Sequence, residues 1–100
     1  MSEFARGYSA GWASGCDQAF RRTVAGWAHD FQIDYKVDDC YALAPIDRVA
    51  TFPSDLPADP RSAGEQLGKT EGCRAAVVAV QRFGVVAWAQ FGSLVDATCS

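Results

Sequence analysis

The spacing of apolar residues predicts a long amphipathic helix near the start of the chain. Ser2 can cap this helix, because a serine side chain accepts hydrogen bonds from the free amides of the first turn. After Phe31, polar and apolar residues alternate over 32–37, which indicates a short strand or an extended arm. The apolar side chains that recur at helical steps of three and four are Phe4, Tyr8, Trp12, Cys16, Phe20, Val24 and Trp27.

A second helix is predicted in the C-terminal part of the chain. Pro60 and the sequence Ser62-Ala63-Gly64-Glu65, which matches a capping box, indicate its start. Over 75–95 the chain is apolar on nearly every side of a helix, and we favour a single helix there. A polar stripe remains at Arg74, Gln81, Arg82 and Ser93.

Two segments are open to other interpretations. Residues 77–81 and 85–89 are rich in β-forming side chains and flank Arg82-Phe83-Gly84, so a C-terminal hairpin is the alternative to one helix. The stretch 41–60 predicts a loop or an extended connection, because it contains Pro45, Pro53, Pro57 and Pro60.

Residues 7–16 and 64–73 share the pattern G-x-x-x-G-x-x-x-G-C. An interior glycine costs a helix about 1 kcal/mol relative to alanine, so we expect a compensating close approach of two helix backbones. We therefore predict that two glycine ridges pack against each other about a pseudo-two-fold axis. The helix-packing residues would be Gly7, Gly11, Gly15, Gly64, Gly68 and Gly72.

Weaker echoes follow each copy of the pattern, at 27–31 and 88–91 and again at 37–40 and 95–99. The sequence thus predicts a mainly α, single domain over 1–100. It would contain two duplicated halves, 2–40 and 61–99, joined by the Pro-rich connection 41–60. The alternatives are an α+β domain with a C-terminal hairpin, and a chance similarity between glycine-rich segments.

Four cysteines, Cys16, Cys40, Cys73 and Cys99, are candidates for two disulfides. They could pair between the halves, as Cys16 with Cys73 and Cys40 with Cys99. They could also pair within each half, as Cys16 with Cys40 and Cys73 with Cys99. No C-x-x-C occurs, so we expect neither a zinc ribbon nor a thioredoxin-type redox pair.

Composition and charge argue against some classes of function. The chain is 49% hydrophobic and 21% charged with a net charge of -3, which is typical of a globular protein and lacks the basic stripe that nucleic-acid binding requires. A membrane span over 75–95 is disfavoured by Gln81, Arg82 and Gln90. The chain opens without a signal-like segment, which favours the cytoplasm or an assembled particle over secretion, although the compartment stays open.

The run Gly7-Tyr8-x-x-Gly11-Trp12-x-x-Gly15-Cys16 resembles a pattern found in many short bacterial and phage-encoded proteins. This resemblance implies no site residues and no function. His29, the single histidine, lies beside Asp30, but adjacent helical residues do not face each other, so we expect a surface histidine and no catalytic pair.

Our leading hypothesis is a non-enzymatic interaction or structural protein without a cofactor. It would bind a protein partner or a second copy through its apolar C-terminal helix. The alternatives are a small ligand- or metal-binding module, and a small enzyme that uses His29. The candidate interface residues are Val77, Val78, Val85, Val86, Trp88 and Phe91.

Overall fold

The computed structural model describes residues 2–49, 59–84 and 87–100 and confirms the predicted mainly helical single domain. The helices in chain order are α1 Glu3–Ala19, α2 Ala25–Asp30, α3 Val37–Ala42, α4 Ile46–Val49, α5 Pro60–Gln81 and α6 Trp88–Cys99. A π-helical segment, Phe20–Val24, joins α1 to α2 without a break. The Ser2 side chain caps α1 by accepting a hydrogen bond from the Ala5 amide at 3.1 Å.

The parallel pair α1 and α5 forms the centre of the molecule. A Cβ atom built on Gly7 would lie 2.0 Å from the carbonyl oxygen of Arg61, and one built on Gly64 would lie 2.2 Å from that of Phe4. Both helices therefore approach each other without intervening side chains. The same reciprocal relation, with residue numbers rising together on both helices, links Gly11 to Glu65, Gly68 to Tyr8, Gly15 to Lys69 and Gly72 to Trp12.

Two large aromatic side chains beside this crossing connect α1 to α5 and to α3. Tyr8 is fully buried and donates a hydrogen bond from its hydroxyl to Glu71 on α5. Trp12 is nearly buried, and its Nε1 donates to the carbonyl oxygen of Cys40 on α3 at 2.8 Å. These two contacts fix α1 to α5 and to α3, because a buried polar atom strongly favours the one position in which it has a partner.

The π-helical segment supports the end of α6. Its longer turn is closed by the amide of Ala25, which donates to the carbonyl oxygen of Phe20. Arg22 Nη1 donates to the carbonyl oxygens of Thr98 at 3.2 Å and Ser100 at 2.8 Å. A cationic donor stabilises the free carbonyls at a helix C-terminus, so this segment holds α6 in place.

Residues 75–95 do not form one helix, contrary to the prediction. Helix α5 ends at Gln81, and Gly84 takes a left-handed conformation with φ of 73°. The Gly84 amide donates to the carbonyl oxygen of Gln81 at 2.9 Å, which closes the turn that ends the helix. The alternative hairpin is also wrong: 77–81 are helical, Trp88 and Ala89 begin α6, and residues 85 and 86 lie outside the described part of the chain.

Two other predictions of local structure need correction. The N-cap of α5 is Asp59, whose carboxylate accepts from the Ser62 amide at 3.2 Å, and not Ser62. Proline at the first helical position lacks an amide that would need a partner, which favours the start at Pro60. Residues 33–36 have no regular structure, and the predicted strand is absent from this described segment. Gln32 ends α2 in a left-handed conformation with φ of 54°.

The connection 41–60 is not wholly extended. Residues 41 and 42 complete α3, and Ile46–Val49 forms α4 directly after Pro45. Proline fixes φ near the helical value, which explains a helical turn in a segment whose prolines predict a loop. The rest of the predicted connection, 50–58, lies outside the described residues. The duplication of the two halves stays a prediction.

Candidate functional site

The cysteines pair within the predicted halves. Cys16 bonds to Cys40 and Cys73 bonds to Cys99, with Cα–Cα distances of 5.9 and 5.8 Å. The first disulfide joins α1 to α3, and the second joins α5 to α6. Since no free cysteine remains, the oxidised protein offers no thiol for catalysis or metal binding.

The predicted interface residues separate into buried and exposed positions. Val77 is fully buried and Phe91 is 8% exposed, so both pack inside their own chain. Val78 is half-buried, whereas Trp88 is 69% exposed and its ring lies 5.4 Å from that of Phe91. Val85 and Val86 lie outside the described residues.

His29 lies on the surface near the end of α2. Its Nδ1 is 3.4 Å from Asp30 Oδ1, and both side chains are largely exposed to solvent. No described cavity has His29 in its lining. A catalytic base needs a nucleophile within hydrogen-bond reach, and no cysteine can be that nucleophile here because all four are bonded to each other.

The arginine-rimmed groove is a depression between α5 and the segment that carries α3 and α4. It consists of two adjoining cavities of about 310 and 370 Å³, which share Leu43, Ala79 and Arg82. Leu43 is 48% exposed, so the wall common to both cavities is apolar and accessible. The apolar surface of the first cavity is completed by Trp12, Pro45, Ala75 and Val78.

Charged side chains line the first cavity unequally. Among the described residues that line it, Arg48, Arg74 and Arg82 carry positive charge and Glu71 carries negative charge. Glu71 also accepts the hydrogen bond from buried Tyr8. The guanidinium carbon of Arg74 lies 5.8 Å from the centre of the Phe91 ring, a cation–π contact that orients it. A chain with net charge -3 thus concentrates positive charge around an apolar depression.

One residue that lines the second cavity, Tyr35, carries a buried polar atom without a partner. The hydroxyl oxygen of Tyr35 is buried, and no hydrogen bond reaches it within the described residues. Tyr35 shares this cavity with Asp39, Arg82 and the apolar side chains of Ala42 and Phe83. Burial raises the pKa of Tyr35 to about 12, with a further increase from Asp39 and a decrease from Arg82. The phenol is therefore neutral and able to donate near pH 7.

The groove is not visible in the sequence pattern. Arg74 and Arg82 belong to a polar stripe that the sequence shows, but Arg48 joins them only because the fold brings α4 to the same cavity. Tyr35 lies in an irregular segment, whose alternating sequence predicts a strand and not a cavity wall. The one usable signal was the spacing of 71, 74, 75, 78, 79 and 82, which places them on one face of a helix.

Other kinds of site receive no support from the described residues. Within 2–49, 59–84 and 87–100, no group of three or more His, Cys, Asp or Glu side chains is placed to hold a metal ion. None of the helices in that part of the chain has both the length and the apolar character needed to cross a membrane.

No protein-family model matches this chain, and the comparisons with curated proteins and with solved structures give no significant match either.

Proposed function

We propose that this chain is a non-enzymatic interaction protein that binds a protein partner in the arginine-rimmed groove. The partner would supply an extended or helical segment that carries both apolar and acidic side chains. The observation that carries the proposal is the set of three arginines around the apolar first cavity. Arginine is enriched in interface centres because its planar group pairs with carboxylates and packs on apolar surface.

Charge complementarity supports an acidic partner. Arg74 and Arg82 outnumber Glu71, the one carboxylate among the described residues that line the same cavity, and Glu71 already accepts from Tyr8. Exposed Leu43 and Phe83, at 48% and 57% of their surface, provide apolar contact beside this charge. A patch that combines exposed apolar side chains with arginines favours recognition of a protein segment over a purely ionic ligand.

Titration with a labelled peptide tests this proposal. The probe is a peptide of about eight residues in which leucine and glutamate alternate, and its matched counterpart has glutamine in place of glutamate. We expect fluorescence anisotropy to show roughly tenfold tighter binding of the glutamate peptide, with a loss of affinity as salt increases. The double variant Arg74→Glu with Arg82→Glu should remove this preference.

The control changes the same net charge on another surface. Arg21 and Lys69 line a different cavity together with Ser14, Gln18 and Arg22. Arg21→Glu with Lys69→Glu should leave the affinity for the glutamate peptide within about twofold. An equal loss in both double variants would mean general attraction of an acidic peptide, and the groove would not be the binding site.

Self-association is a second candidate function, favoured by the exposure of Trp88. This ring is 69% exposed on α6, and a large aromatic side chain in such a position is typical of interface residues. Sedimentation equilibrium should then show a dimer that Trp88→Asp converts to a monomer and that Leu67→Asp, at another exposed apolar position, does not. A monomeric parent protein would eliminate this candidate.

The two disulfides also support a proposal about the compartment. Disulfides persist where the environment is oxidising, and a reducing cytosol keeps most thiols free. We therefore place the working protein in an oxidising environment, which differs from the compartment that the sequence favours. Alkylation of thiols in protein freshly taken from its source should label none of the four cysteines.

A further inference from the structure

A basic cavity of about 280 Å³ is lined by the end of α1, the π-helical segment and α5. Every described residue that lines it is polar, and none of them is acidic. It shares no described residue with the two cavities of the arginine-rimmed groove, so it is a separate surface. The described lining consists of Ser14, Gln18, Arg21, Arg22 and Lys69.

The helices bring these side chains together on one surface. Ser14, Gln18 and Arg21 follow one another at helical steps of four and three, because the π-helical segment continues α1 without a break. Lys69 comes from α5, where its backbone carbonyl oxygen would lie 2.2 Å from a Cβ built on Gly15. The close approach of the two helices therefore places a lysine beside the polar face of α1.

The end of α6 holds two of these side chains in position. Gln18 Nε2 and Arg22 Nη1 both donate to the carbonyl oxygen of Thr98, at 3.3 and 3.2 Å. Arg22 Nη1 also donates to the carbonyl oxygen of Ser100 at 2.8 Å. A guanidinium has five N–H donors, so Nε and Nη2 of Arg22 are left for a ligand. Side chains that are fixed in advance lose less conformational entropy when a ligand binds.

The charges of Arg21 and Lys69 are not neutralised by an ion pair. Within the described residues, neither side chain forms a hydrogen bond or a salt bridge, and both are exposed. The acidic residues four positions before them have other partners: Asp17 accepts from a tyrosine hydroxyl, and Glu65 Oε1 lies 3.8 Å from an arginine nitrogen of its own helix. A bound anion would offset the repulsion between the gathered cations.

We propose that the basic cavity binds a phosphate group, carried by free phosphate or by a small phosphate ester. A phosphate monoester carries a charge of about −1.5 to −2 near pH 7 and has three strong acceptor oxygens. It therefore accepts from a guanidinium, an ammonium and a hydroxyl at the same time. This inference does not depend on the proposed function, because it concerns a different cavity.

Other classes of ligand fit the basic cavity less well. A carboxylate has a single charge and two oxygens, so it leaves part of the positive charge without a partner. Since the described lining contains no apolar side chain, a peptide of mixed apolar and acidic character gains little contact there. A cation would be repelled by Arg21, Arg22 and Lys69.

Titration of the intact, ¹⁵N-labelled protein with inorganic phosphate tests the inference. Sodium chloride keeps the ionic strength constant, so that general screening does not change. We expect backbone amide resonances over 14–22 and at Lys69 to shift and to saturate, whereas sodium acetate should give no saturating shift. A parallel titration with glycerol phosphate distinguishes the sources: tighter binding than that of phosphate indicates an ester, and equal or weaker binding indicates free phosphate.

Two double variants with the same change in net charge locate the binding. Arg21→Glu with Lys69→Glu should weaken phosphate binding at least about tenfold, because it removes two cations and adds two anions. Arg74→Glu with Arg82→Glu, in the groove, should leave the phosphate affinity within about twofold. If the first variant does not fold, Arg21→Gln with Lys69→Gln replaces it, with an expected loss of about fivefold.

Several results would overturn the inference. If phosphate gives no saturating shift, or if the shifts saturate only over 71–82, the basic cavity is not a phosphate site. If both double variants lose phosphate affinity equally, the attraction is general and the inference is again wrong. None of these results decides the proposed function, which is tested with a different ligand and depends on Arg74 and Arg82.

Discussion

At the scale of single residues, the six glycines of the α1–α5 crossing leave no space for a methyl group. Each Cβ built there would lie 2.0–2.4 Å from a backbone carbonyl oxygen of the other helix. Backbone atoms cannot rotate away as side chains do, so the two helices would have to separate. Gly26 and Gly92, by contrast, have no atom within 4 Å of such a Cβ.

This difference predicts opposite effects of the same substitution. Gly68→Ala should lower the free energy of unfolding by at least about 2–3 kcal/mol, because the new methyl would meet the carbonyl oxygen of Tyr8 at 2.2 Å. Gly26→Ala and Gly92→Ala should raise it by about 0.5–1 kcal/mol each, since alanine favours helices and meets open space. Urea unfolding of the three variants would measure these values. Equal effects at all three positions would contradict the described crossing.

At the same scale, some contacts can be predicted from the sequence and others cannot. A glycine every fourth residue is a local pattern, so a close helix approach at Gly7, Gly11 and Gly15 can be expected from spacing alone. The choice of disulfide partners depends on where α3 and α6 lie in space, and spacing left both pairings open. The hydroxyl of Tyr35 lacks a partner for reasons that only the packed structure contains.

At the scale of helices, the end of α5 shows how one glycine can override a periodic pattern. Apolar side chains continue at helical spacing through 75–95, yet Gly84 takes a left-handed conformation that stops the helix at Gln81. The chain can then reverse, and α6 returns to cover α5. This return buries Phe91 and Thr98, which removes much of the apolar surface that suggested a large interface.

The second disulfide is the strongest single link between α5 and α6. Replacing Cys73 and Cys99 together by serine should reduce the free energy of unfolding by about 2–4 kcal/mol, from the lost constraint on the unfolded chain. Hydrogen exchange should accelerate in α6 more than in α1, because α6 would keep only noncovalent contacts, such as those of Phe91, Thr98 and Arg22.

The matched control is the double replacement of Cys16 and Cys40, which closes a loop of similar length. There, faster exchange should appear in α3, while α6 keeps its protection. If α6 were equally protected in both variants, the disulfide would not be what holds it against α5.

At the scale of the whole molecule, we expect buried tyrosines to make the folded protein less stable at alkaline pH. Burial raises the pKa of Tyr35 from 10.0 to about 12, and burial followed by the bond to Glu71 raises the pKa of Tyr8 as well. The unfolded chain releases these protons near pH 10, whereas the folded chain holds them to higher pH. This stabilisation is complete below pH 10 and is lost as pH rises toward 12.

Urea unfolding at a series of pH values measures this effect. The midpoint should be constant between pH 8 and about 9.5 and should fall between pH 10 and 12. Tyr35→Phe should make this decline shallower, because one of the phenols with a raised pKa is gone. A decline of the same steepness in the variant would mean that Tyr35 is not held neutral by the fold.

The fold class and the groove differ in how far the sequence determines them. Local sequence patterns predict two glycine-bearing helices and a single small domain. The groove requires α4 to place Arg48 opposite Arg74 and Arg82, and α4 is a short helix in a segment whose prolines predict a loop. Local sequence patterns cannot predict a surface that several separate segments of the chain form together.

The parallel direction of α1 and α5 has a consequence for how the chain folds. Antiparallel neighbours can pair through a short turn, but parallel helices can meet only after the intervening chain has travelled back along their length. The bond between Tyr8 and Glu71 joins residues 63 positions apart. Helical proteins built from local contacts fold fastest. This protein should therefore fold more slowly than an up-and-down helix bundle of the same size. Until both glycine ridges have formed and are in contact, neither helix has the surface against which it packs.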